Sequence, residues 1–163
     1  MAKTIDWKAA VWAGIIAGLV FMLLEMLLVQ LVGEGNMWGP PRMMAAIVMG
    51  REVLPPPATL DAGVLIVAMI VHFALSLVYA FIFAWIVGQW QMTMTVAAIG
   101  GLLFGLVIYA VNFYGFTALF PWFAEARNWI TILAHAIFGA TLGVVYRPLA
   151  RTNSGRIVAA SRS

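Results

Sequence analysis

The chain has no cysteine and little charge. Without cysteine there are no disulfides, no thiol nucleophile and no thiolate metal ligands. Charged residues make up 9% of the 163 residues, while hydrophobic residues make up 64%. Soluble domains carry roughly 25% charged residues. A soluble fold of this length has no means of covering so much apolar surface, so lipid is its natural solvent. Nothing in the sequence has the form of a nucleophile triad, a phosphate loop or a dinucleotide fingerprint, so no enzymatic reaction is legible. The net charge is +3, but the basic residues Lys3, Lys8, Arg147, Arg151, Arg156 and Arg162 gather at the chain ends. That is a topology pattern, with no basic stripe for nucleic acid.

Four long apolar runs are present, over about 9–32, 62–88, 92–119 and 129–146. Each reaches or nears the roughly 20 residues a helix needs to cross a bilayer. Lipid offers no hydrogen bonds to a backbone, so the runs are expected to be helices. The expected fold is an all-α membrane protein, a four-transmembrane-helix bundle over residues 1–147. The first run is too long for a cleaved signal, and no small-residue cleavage pattern follows at Gly33-Glu34, so it reads as a retained anchor. An even number of spans puts both termini on one side. The basic ends make that side the cytoplasm, which fits a bacterial inner membrane. Gly88–Gln91 then forms a tight turn on the inner side.

The first outer loop, an insertion over 33–61, is unusual. It contains Trp38-Gly39-Pro40-Pro41-Arg42, then Met43 to Met49, then Pro55-Pro56-Pro57. Pro41 suits the first turn of a short helix. Met43, Met44, Ile47 and Val48 give that helix an apolar face, so it is expected at the interface. The three prolines predict a stiff connector. The basic tail 148–163 is expected to be disordered.

The runs also repeat. Gly14, Gly18 and Glu25 in the first recur as Gly101, Gly105 and Asn112 in the third. His72, Ser76 and Ala80 in the second recur as His135, Gly139 and Gly143 in the fourth. The pattern predicts two parallel two-helix repeats. Chance placement of small packing residues is the competing reading.

Glu25, His72, Asn112 and His135 carry the strongest functional hint. Each is expected roughly 12–15 Å inside its helix from the outer end, on the face shared with the glycines. Ionisable groups at such depth are costly and find interior partners. Three readings follow. One is a hydrogen-bonded cluster that fixes helix register. A second is a metal site of Glu25, His72, His135 and Asn112, for zinc, iron or copper. A third is a b-type haem held by His72 and His135. A proton or solute path through Glu25 and the histidines is a further alternative. Met22 and Met26 flank Glu25, and thioethers favour Cu(I), although methionine more often fills gaps. Aromatics such as Trp38, Trp122 and Trp129 read as an interfacial belt. Trp38, Arg42 and Arg127 are candidates for outer-surface contact with lipid phosphate or a partner protein.

The run Met37-Trp-Gly-Pro-Pro-Arg-Met-Met-Ala-Ala, with Glu25 before it and His72 and His135 after it, resembles a family of small uncharacterised four-helix bacterial inner-membrane proteins. The resemblance covers about residues 8–147. Some members carry the label sodium:proline symporter. Symporters of that type look like long chains with many spans and paired broken helices, whereas these four spans have no Gly/Pro break at midplane. The expected role is a small accessory or binding protein, a subunit of a larger membrane complex such as a respiratory one. A transporter and a purely structural protein are the alternatives. The expected partners are the lipid bilayer and a membrane protein or a second copy.

Overall fold

A computed structural model describes residues 5–33, 35–54, 56, 58–88 and 92–160, with side chains through 150. Its regular secondary structure is entirely helical among the described residues. Helix α1 spans Trp7–Val32, α2 Gly39–Met49, α3 Ala62–Gly88, α4 Met94–Ala110 and α5 Trp129–Ala160. Short 3-10 and π turns complete the connections. Four helical stretches are long and apolar enough to cross a membrane: Trp7–Val32, Ala62–Gly88, Met94–Ala118 and Trp129–Ala150. The protein is thus a multi-pass membrane-type helical bundle.

Each long helix starts on a side-chain cap. Asp6 accepts from the Ala9 amide at 2.9 Å, Asp61 from Val64 at 3.0 Å, Thr93 from Val96 at 3.2 Å and Asn128 from Thr131 at 3.1 Å. Such caps satisfy amides that the helix itself leaves orphaned. In α1 the large residues Trp12, Leu19, Leu23 and Leu27 face outward, while Ala13, Gly14, Ala17 and Gly18 face the core. Small residues inside and large ones outside is the arrangement that lets backbones approach in lipid.

The four spans form two close pairs. Between α4 and α5 the approach is closest: a Cβ at Gly105 would collide with the His135 carbonyl, and one at Gly139 with the Gly101 carbonyl. Between α1 and α3, Gly14 faces Ala80 and Ser76, and Gly18 faces Ser76 and Phe73. The pairs join where α1 packs along α5, whereas α3 and α4 touch little. Phe21, Phe83, Phe138 and Leu142 belong to the shared core.

Helix α2 lies across the start of α3, burying Ala45 against Val64 and Ala68. Pro40 and Pro41 occupy its first turn, where a missing N–H costs nothing. Gly50 ends it at φ 88, a conformation that side chains disfavour. The Trp122 indole donates to the Met43 carbonyl at 3.0 Å, tying α2 to the α4–α5 connection.

Three sequence expectations change. The third span is not uniformly α-helical: after Ala110 it widens into a π turn, Val111–Gly115, then a 3-10 turn, Phe116–Ala118. The fourth does not stop at Tyr146, because the helical backbone continues through Pro148 to Ala160 where a disordered tail was expected. Arg42 and Arg127 are drawn into their own chain. Arg42 donates to the carbonyls of Thr59 and Val53 at 2.9–3.0 Å. Arg127 donates to the Phe113 carbonyl at 2.7 Å and to the Thr117 hydroxyl at 3.1 Å, with its guanidinium 4.4 Å from the Tyr114 ring centre. Both brace loops with donors that an outside phosphate would otherwise take. Trp38 is half-buried at the start of α2, its amide bonded to Asn36. The turn expected at Gly88–Gln91 and much of the proline connector lie outside the described residues.

Candidate functional site: an intramembrane cavity

A cavity of about 830 Å³ lies at the α2 end of the bundle, walled by α1, α2, α3, α5 and the turns that follow α4, with the loose α3–α4 seam on one side. Its depth follows from helix geometry. Glu25 lies seven residues from the end of α1, His135 six from the start of α5 and His72 ten from the start of α3, or roughly 9–15 Å at 1.5 Å per residue. All four sequence-predicted residues, Glu25, His72, Asn112 and His135, line this one cavity. Phe21, Ile108, Phe113 and Phe138 supply apolar wall, joined by Phe120 and Trp129.

The polar residues reach the cavity through separate supports. Thr131, 2% exposed, is the hub on α5. Its hydroxyl donates to Glu25 Oε1 at 3.2 Å, with Asn128 Oδ1 a longer alternative at 3.4 Å. Its carbonyl accepts from His135 Nδ1 at 2.8 Å. His72 Nε2 donates to the Gly18 carbonyl at 2.9 Å. The carbonyl acceptors fix the tautomers: the proton sits on Nδ1 of His135 and on Nε2 of His72, leaving one lone-pair nitrogen on each ring. The Tyr79 hydroxyl donates to Asn112 Oδ1 at 2.6 Å and bridges α3 to α4 across the loose seam. No fully buried side-chain nitrogen or oxygen among the described residues lacks a partner.

This geometry does not make the quartet a metal centre. Among the described residues no group of three or more His, Cys, Asp or Glu stands close enough to hold a metal. Phe21 packs on both imidazoles, with ring centres 5.4 Å from His72 and 4.8 Å from His135. Tyr109 and Phe113 add edge contacts to His135 at 5.7 and 5.4 Å. The shared neighbour of the two histidines is thus an aromatic ring, where a bridging haem iron needs open space. Asn112 already accepts from Tyr79. The residues line a cavity together without converging on a point.

Thr131, Tyr79 and Phe21 escaped the sequence reading, although spacing marked them. Thr131 lies four residues before His135, Tyr79 seven after His72 and Phe21 four before Glu25. Each offset returns a helix to the same face. The π turn adds a further signal, since such bulges recur at functional sites. Asn112 lies within it.

No protein-family model, curated protein or solved structure matches the chain.

Proposed function

We propose that the protein is a small membrane binding protein that holds an amphipathic molecule in the cavity beside the α3–α4 seam. The supporting observation is the cavity itself: about 830 Å³ of space walled by aromatic and aliphatic side chains, with Glu25, His72, His135 and Asn112 all on its lining. Ligand pockets commonly have this volume and mixture, apolar walls with few oriented polar groups. A ligand with one hydrogen-bonding end would meet the His135 lone pair, the Glu25 carboxyl and the Asn112 amide. Its apolar body would lie along the loose seam, towards lipid.

Binding accounts for the site better than conduction does. The lining ends at Phe138, Ile108, Ser76 and Tyr79, and beyond them the glycine-mediated contacts bring helix backbones together. A relay through Glu25 and the histidines has no comparable continuation towards the other end. We place the protein in a bacterial inner membrane with both termini in the cytoplasm, on the strength of the basic chain ends. The cavity then opens on the outer side.

We further propose that the two helix pairs arose by duplication. Gly14 meets Ser76 and Ala80, and Gly101 meets Gly139 and Gly143, the corresponding residues. Asp6 and Thr93, both 87 residues apart like Gly14 and Gly101, cap the corresponding helices. On this reading the α1–α5 and α3–α4 seams are equivalents, one closed and one held open for ligand.

The test is a filled cavity. Leu75 lines it and is only partly buried. Leu75→Trp is expected to abolish retention of a co-purifying amphipathic molecule, read by native mass spectrometry, while the helix content stays unchanged. Retention unaltered in Leu75→Trp would remove this reading.

A further inference from the structure

A second, much smaller cavity, of about 30 Å³, borders the first and is also lined by Glu25 and His72. Three elements build it. Met22 and Met26, four residues apart, come from one face of α1. Met69 and His72, three apart, come from one face of α3, and Met44 comes from α2. Glu25 stands between the two α1 methionines in sequence and lines the same space. The room is that of about one water molecule, which suits an ion and no organic ligand.

We propose that this small cavity is a Cu(I) site, with Met22, Met26 and Met44 supplying thioethers and His72 an imidazole nitrogen. The donor chemistry selects the ion. Thioether sulfur is soft and favours Cu(I), while zinc and the alkali and alkaline-earth ions prefer thiolate, imidazole or oxygen. His72 is prepared for this role. Its Nε2–H is bonded to the Gly18 carbonyl at 2.9 Å, so the lone pair resides on Nδ1. A ligating histidine typically donates its other N–H in this way. Charge fits as well. A monovalent cation beside the Glu25 carboxylate makes a neutral pair, which limits the cost of burying charge in lipid. Met69, 38% exposed, forms the rim. The site shares Phe21, Glu25, Pro40, Met44 and His72 with the larger cavity, but Met22 and Met26 line the small one alone, and its failure would leave the amphipathic-ligand reading intact. Plain packing of methionines is the outcome that would replace it.

The experiment uses the full chain in detergent, titrated with Cu(I) under ascorbate against a chromophoric Cu(I) chelator. The missing cysteines remove any thiol background. One Cu(I) per chain is expected to be retained, with sulfur and a single nitrogen shell by X-ray absorption. Met22→Leu and Met44→Leu conserve side-chain volume and should fold. Each is expected to weaken retention at least roughly tenfold, since even an outer-shell partner is worth that much at a metal site. Met49→Leu, on the exposed part of α2, is expected to change nothing. No copper held against the chelator, a shell of only nitrogen and oxygen, or affinity unmoved by Met22→Leu and Met44→Leu would overturn the proposal.

Discussion

Thr131 shows how one hydroxyl can support a site that its neighbours define. It donates to Glu25, while its amide caps α5 through Asn128 and its carbonyl orients His135. Thr131→Val keeps the shape and deletes the donor. A buried acceptor left unpaired costs about 1–3 kcal/mol. Thermal unfolding in detergent should show that loss for Thr131→Val and little change for Thr131→Ser; equal stability of both variants would contradict the hydrogen bond. Glu25, His72 and His135 were legible in the sequence because ionisable groups in apolar runs are rare and costly. Thr131 was not, because a hydroxyl in a membrane helix usually satisfies itself locally. The partner of Asn112 was hidden for another reason: Tyr79 reads as an ordinary aromatic until α3 and α4 are set side by side.

Among the elements, the α4–α5 pair makes the sharpest demand. A Cβ at Gly105 runs into backbone, which no rotamer change relieves, whereas Gly100 on the same helix has open space around it. Gly105→Ala is expected to cost about 1–3 kcal/mol, the usual penalty of overpacking. Gly100→Ala should be neutral or stabilise by up to roughly 1 kcal/mol through helix propensity. Unfolding of the two variants side by side checks the difference in sign. The π turn depends on Arg127, which bonds the Phe113 carbonyl. Arg127→Ala should raise amide exchange across 111–126 while leaving α1 and α3 protected. Span positions and the start of α2 were legible from apolar length and from proline in the first turn. The π turn was not, since it reflects where Arg127 returns to the chain. Nor was the inward use of Arg42, whose acceptors Thr59 and Val53 lie across a loop. The quartet's common lining was legible from depth and face alone. Its failure to converge as a metal centre was not, because Phe21 stands against both histidines.

For the whole molecule, the account is of two helix pairs closed along one seam and loose along the other. The proposed topology puts the α2 end outside and the termini inside. With no native cysteine, single cysteines replace Gly35 and Lys8 without interference. An impermeant thiol reagent applied to intact cells should label the first and spare the second; the reverse pattern would invert the orientation. The central claim is that the loose α3–α4 seam exists to admit a ligand. Native mass spectrometry of the full chain, released from gently extracted membrane, tests it most directly. The account predicts a bound amphipathic species on the wild-type chain that is absent from an equally helical Leu75→Trp variant. A wild-type chain that emerges bare, or the same adduct on both chains, would contradict it.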